Sequence, residues 1–121
     1  MSSTDETLVN KKCAPCHGGV SALTPAEAQK MLGRLLSSET GGWQLIEDGK
    51  AIKREFKFPD FYRAMSFVNA VAHIANVEDH HPDIECGWGY ARIRYQTHAV
   101  GGLHENDFIC AAKIDTLGPA S

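Results

Sequence analysis

The sequence predicts an α+β fold in the order α-β-β-α-β-β-α, a four-stranded antiparallel sheet with helices packed on one face. Three observations carry this expectation. Residues 43–58 alternate apolar and polar side chains on either side of Asp48-Gly49, and residues 84–98 do the same around Gly89. Period-two alternation puts successive side chains on opposite faces of a strand, and one apolar face with one charged face is the pattern of an antiparallel sheet covered on a single side. Between the two hairpins, residues 61–78 repeat their apolar side chains at helical spacing.

Taken in order, residues 1–12 read as a flexible leader and residues 13–121 as one domain, since a chain of 121 residues accommodates a single core. Thr24-Pro25-Ala26-Glu27 supplies an N-cap, a proline at the first helical position and an acid three residues after the cap. The first helix is therefore expected over residues 25–38, with Met31, Leu32, Leu35 and Leu36 buried and Gly41-Gly42 ending it. Strands follow at 43–47 and 51–58. Asp48-Gly49 joins them because the favoured hairpin turn needs positive φ at both central residues. In the second strand Ile52, Phe56 and Phe58 share one face, and Lys53, Glu55 and Lys57 the other.

The second helix is expected to start after Pro59-Asp60 and run to Glu78. Phe61, Met65, Val68, Ala72 and Ala75 form one apolar stripe and Phe67, Val71 and Ile74 another, which marks it as the most buried helix. Pro82 biases its predecessor away from helical φ/ψ and so limits where that helix can end. Strands at 84–88 and 91–98 come next, with Ala91, Ile93 and Tyr95 facing the core and Arg92, Arg94, Gln96 and His98 facing away. A last helix spans 105–116, burying Phe108, Ile109, Ala112 and Ile114.

With 43% apolar and 22% charged residues the chain has the composition of a soluble protein, and its apolar runs fall short of a membrane span. A net charge of -3, with basic residues scattered along the chain, argues against direct nucleic-acid binding. The polar start, Met1-Ser2-Ser3-Thr4-Asp5-Glu6-Thr7, lacks the basic and apolar regions of a secretory signal, so a cytoplasmic location is expected. Cys13, Cys16, Cys86 and Cys110 are accordingly expected as free thiols.

Four of the six histidines lie between Glu78 and Asp107. Imidazole titrates near neutrality, so several converging rings can supply both an acid and a base, and His80, His81 and His98 are the candidates. The carbonyls at a helix C-terminus favour a protonated ring at His80 or His81. Spacing alone equally allows one of the pair to cap the helix while the other is merely exposed. Asp107 either supports one of these rings or caps the last helix, where a carboxylate is stabilised regardless of function. His104, Glu105 and Asn106 read as helix-start chemistry, and His73 as a surface or satisfied core histidine.

Cys13-Ala14-Pro15-Cys16-His17 has the form of a c-type haem attachment pattern, but no export signal precedes it. A zinc site would need a second ligand pair, and Cys86 and Cys110 stand apart; a reduced pair in a turn before the first helix is preferred. Gly-rich phosphate loops, the Gly-x-Ser-x-Gly elbow and His-Glu-x-x-His are all absent from the sequence.

Taken together, His80-His81-Pro82-Asp83, Trp88, Thr97-His98 and Gly102-Leu103-x-x-x-Asp107-Phe108 resemble the signature of the pterin-4a-carbinolamine dehydratases. The similarity extends to Lys12-Cys13-Ala14-Pro15-Cys16 with Gly18-Gly19, the Leu-Thr-Pro helix start, Trp43, and the Phe61, Ala64, Phe67 pattern. The resemblance implies a four-stranded antiparallel sheet, self-association into a homodimer or homotetramer, and loss of water from 4a-hydroxytetrahydropterin to give quinonoid dihydropterin. That is the step that recycles pterin after an aromatic amino acid hydroxylase. It implies neither metal nor organic cofactor. His80, His81 and His98 would be acid-base residues, Asp107 their supporting carboxylate, and His80, His81, Pro82, Thr97, His98, Ala99 and Val100 the lining of the pterin pocket. The same fold can also serve as a non-catalytic dimerisation or interaction module. Asn76 stands where the family often has an acid, so either Glu78 or Asp79 supplies that charge or the carboxylate is dispensable.

Overall fold

A computed structural model describes residues 8–14, 21–35 and 42–117. The elements are α1 (Pro25–Gly33), β1 (Gln44–Ile46), β2 (Ala51–Lys57), α2 (Phe61–Glu78), β3 (Asp83–Gly87), β4 (Tyr90–Tyr95), a 3-10 turn (His98–Val100) and α3 (Glu105–Asp115). The four strands form one antiparallel sheet, as expected from the alternation pattern, and their order in it is β1-β2-β4-β3. α2 packs on β3 and β4, α1 on β1, and α3 lies against both helices.

Local chemistry explains the element boundaries. Thr24 accepts from the Glu27 backbone and Glu27 accepts from the Thr24 backbone, so the expected capping box opens α1. This helix stops at Gly33, short of the expected 38: Arg34 and Leu35 donate three residues back, to Met31 and Leu32, and tighten the last turn. Leu35 is still buried, while Leu36 lies outside the described residues. Ile46 pairs with Ala51 across a four-residue connection in which Glu47, Asp48 and Gly49 all have positive φ, at 53°, 59° and 82°. Asp60 caps α2 by accepting from Arg63, and Asp79, left-handed at φ 53°, ends it.

Ile52, Phe56, Ile93 and Tyr95 from the sheet meet Phe67 and Val71 of α2 and Phe108, Ile109 and Ile114 of α3 in one core. Two expectations need correction here. The most buried helix is α3, with eight of its eleven residues buried, because it is sandwiched by other elements. α2 buries Ala64, Phe67, Val71 and Ala75 and packs Val68 and Ile74 against the core but leaves Phe61 half exposed, so both apolar stripes reach the core except at the N-terminal end of the first. Residues 8–12, expected within a flexible leader, also have fixed contacts: Leu8 is fully buried, Lys113 Nζ donates to the Val9 carbonyl at 2.7 Å, and Lys11 pairs with Glu105. Residues 1–7 lie outside the described residues.

The uncovered sheet face carries crossed charges. Arg94 pairs with Asp83 at 3.2 Å and with Glu47, and Arg92 lies 3.5 Å from Glu55 and 3.6 Å from Glu85. Exposed pairs of this kind set surface character more than stability. The pairing that ties α3 to the sheet is of another sort. Asp115, almost fully buried, accepts from Trp43 Nε1 at 2.8 Å and from Arg54 Nη1 at 2.7 Å. Asp115→Ala leaves both donors unmatched in a partly desolvated site and should cost about 2–4 kcal/mol, read as a lower urea midpoint with unchanged far-UV circular dichroism.

Candidate active site

The second hairpin and the start of α3 bring the chemistry together. β4 ends at Tyr95, three residues earlier than expected. The chain then closes a small loop: Thr97 N donates to Gly102 O at 2.8 Å, and Gly102 N donates back to Thr97 O at 3.3 Å. Gly101, at φ 71°, supplies the left-handed residue that lets the chain return. His98 is therefore held on a bridged 3-10 turn and not on a strand, and its side is exposed as the alternation required.

On the opposite wall α2 ends at Asp79, and the His80 backbone N–H donates to Ala75 O at 3.1 Å. The His80 ring turns inward. Its Nε2 lies 2.6 Å from Asp107 Oδ1, and the ring stacks on Tyr95 at 5.2 Å with 13° between planes. The Tyr95 hydroxyl donates to the His80 carbonyl at 3.2 Å. Asp107 is fully buried in the first turn of α3. Its second oxygen accepts from Thr97 Oγ1 at 2.8 Å and from the His104 backbone at 3.0 Å. The two readings of Asp107 are therefore both true: one oxygen completes a helix cap, the other holds an imidazole. His104 completes that cap by accepting from Asn106 N through Nδ1, as the helix-start reading expected.

Electrostatics follow from this contact. Burial alone would push His80 down, but the hydrogen bond to Asp107 and its negative charge outweigh burial and raise the pKa above the ordinary histidine value. The direction expected from the helix C-terminus is right, with a carboxylate as the cause. With Nε2 committed to Asp107, Nδ1 is the nitrogen left to exchange a proton, and among the described residues it has no hydrogen-bond partner.

His80, His81 and His98 line one cleft of about 470 Å³ together with Ala14, Asp79, Gln96, Thr97, Ala99 and Asn106. Cavities of this size suit small-molecule ligands. Pro82 and Val100, expected in the lining, are not part of it: Pro82 leads into β3, and Val100 closes the 3-10 turn. His81 is exposed, with Nε2 3.2 Å from Asn76 Oδ1, so the amide at the position where the family often has an acid faces an imidazole. Glu78 does not replace that acid, because its carboxylate accepts from Cys13 N at 2.9 Å and lies 3.7 Å from Lys113; Asp79 is the acid at the cleft. His73 is exposed, as expected.

Ala14, Asp79, Gln96 and Asn106 were not expected in the lining. Of these, Asp79 had a signal as a candidate acid beside the histidine pair, and Ala14 lies in the leader motif. Cys13 is a free thiol packed 3.6 Å from the buried, free Cys110; hydrogen bonding to Cys110, with burial, pushes Cys13 up, so it keeps its proton. Cys16 and His17 lie outside the described residues. No group of three or more His, Cys, Asp or Glu side chains among the described residues is arranged to hold a metal ion.

Comparison with known proteins assigns the family. Residues 21–117 match the family model for pterin 4 alpha carbinolamine dehydratase. The chain belongs to that family. A relative from Halorhodospira halophila, named "Putative pterin-4-alpha-carbinolamine dehydratase", is 50% identical over 112 residues, covering 93% of this chain and 98% of the relative. One of the same name from Nitrosospira multiformis is 48% identical over 117 residues, covering 97% of each. Among solved structures, one described as a transcriptional coactivator/pterin dehydratase from Brucella melitensis superposes with a TM-score of 0.72 at 32% identity, over 84% of this chain and all of that one. A pterin dehydratase-like RuBisCO assembly factor of the alpha-carboxysome, TM-score 0.57 and 22% identity over 66% of this chain and 93% of that one, shares the fold. Within the dehydratase family the α+β architecture is therefore the expected one, and no helix among the described residues is long and apolar enough to cross a membrane.

The Asp107 contact has a pH signature. Because folding raises the His80 pKa above its reference of 6.5, the stability the pair contributes is complete below about pH 6.5 and is lost as pH rises through the raised value. Asp107→Asn should flatten that decline. Urea midpoints measured from about pH 6 to 9 check this, with a parallel decline in both proteins counting against the pair.

Proposed function

We propose that the protein dehydrates a 4a-hydroxytetrahydropterin to quinonoid dihydropterin by histidine acid-base catalysis, recycling the pterin of an aromatic amino acid hydroxylase. The observation that carries this reading is that three imidazoles of a dehydratase-family chain line one cleft, one of them locked to a fully buried carboxylate. The family membership supplies the substrate class.

The reaction breaks the C4a–O bond. The oxygen leaves as water once it accepts a proton, and a second proton departs from the ring nitrogen as the C=N bond forms. His80, biased toward its protonated form by Asp107, presents Nδ1–H as the donor; His98, exposed on its bridged turn, takes the ring proton. Each contributes on the order of 100-fold to 10,000-fold. His81 lies beside His80 and is oriented by Asn76, and Thr97 and Ala99 complete the pterin-facing lining. Water restores the protons, so no metal or organic cofactor enters this scheme.

His98→Ala should lower kcat by at least about 100-fold with the unfolding midpoint unchanged, in a stopped-flow assay on a freshly generated 4a-hydroxypterin. Wild-type turnover in that variant would remove His98 from the mechanism. The protein is further proposed to act in the cytoplasm as a homodimer or homotetramer, because Phe61, Tyr62, Val77 and Trp88 expose large apolar surface on a single chain. Sedimentation equilibrium should give two or four times the chain mass of 13.2 kDa, and a monomer at micromolar concentration overturns the assembly.

A further inference from the structure

The N-terminal segment meets the cleft in a way the acid-base scheme does not use. Two buried side chains are given over to the backbone of residues 13 and 14. Asn106, only 3% exposed, accepts from Ala14 N at 3.0 Å through Oδ1 and donates to Ala14 O at 2.6 Å through Nδ2. The Glu78 carboxylate accepts from Cys13 N at 2.9 Å. A side-chain amide that grips both the N–H and the C=O of one residue fixes that residue's position and orientation together, as a strand partner would. The residue so fixed is an exposed one, and it lines the cleft beside His80, His81 and His98. Asn106 also immediately precedes Asp107, so one turn of α3 sets the imidazole at one wall and the peptide at another.

We propose that Ala14 forms a binding wall of the cleft and that Asn106 is the positioning residue that holds it there. The wall offers hydrocarbon: with its N–H and C=O engaged by Asn106, Ala14 presents a small apolar side against which the flat face of a bicyclic ring packs. The small side chain at 14 also sets the clearance, which makes it a specificity-determining position. Docking of residues 8–12 through Leu8, Val9 and Lys11 holds the segment on α3 but lies outside the cleft, so the Asn106 clamp is the part that bears on the ligand.

The inference rests on the reading that a reduced pterin occupies the cleft, and the experiment separates the two. Steady-state dehydration of a 4a-hydroxypterin and equilibrium binding of 7,8-dihydropterin are measured for the wild type, Asn106→Ala and Ala14→Leu. Asn106→Ala carries no charge change, so the pH profile should keep its shape while KM and Kd rise about tenfold and kcat stays within about twofold. Ala14→Leu replaces an exposed side chain, folds without relying on the clamp, and should raise KM and Kd by a similar factor through lost clearance. Wild-type KM in both variants overturns the wall. A fall in kcat with a displaced pH profile in Asn106→Ala, and unchanged KM in Ala14→Leu, would mean that Asn106 acts only through Asp107, and overturns it too. Failure of the wild type to bind the dihydropterin or to turn over overturns the pterin reading itself, and the proposed wall with it.

Discussion

A carboxylate with no access to water governs this molecule. An ionised Asp107 in an apolar interior would be prohibitively costly without donors, and three converge on it: the His80 ring, the Thr97 hydroxyl and the His104 backbone N–H. Each donor comes from a different part of the chain: the residue after α2, the bridged loop after β4, and the start of α3. Satisfying one charge thereby fixes the relative placement of three segments. The stack of His80 on Tyr95 and the bond from the Tyr95 hydroxyl to the His80 carbonyl reinforce that placement from the sheet.

The same arrangement gives the imidazoles different surroundings. His80 is largely buried and charge-biased, whereas His81 and His98 are exposed and meet the cleft from its solvent side. One ring is pre-set toward the protonated form and the others stay near solvent.

Much of this was legible in the residues. Strand alternation, the capping box at Thr24 and the proline and aspartate before α2 each act locally, so sheet, helices and most boundaries could be read directly. What escaped depends on contacts distant in sequence. The end of β4 is decided by the Thr97–Gly102 bridge, where Gly101-Gly102 was the available and unused signal. The deep burial of α3 arises from neighbours on both sides, which periodicity cannot report. Ala14 and Asn106 reach the cleft through a side-chain-to-backbone clamp 92 residues apart, which leaves no periodic trace. His80, His81, His98 and Asp107 stand out in the sequence because their chemistry is distinctive, whereas Pro82 and Val100 adjoin lining residues in the chain without lining the cleft.

The docking of the first described segment onto α3 has a consequence for how the molecule is made. Its contacts, Lys113 to Val9, Cys13 to Cys110 and Ala14 to Asn106, span 92 to 104 residues, among the longest separations a chain of this size allows. Ring closure over such a span carries a large entropic cost and rewards the chain only after the sheet has formed. During synthesis the hairpins and α2 can assemble on the ribosome while the first segment waits for the last helix to emerge. The cleft is thus the last part of the architecture to exist, because its walls close only after α3 has been made.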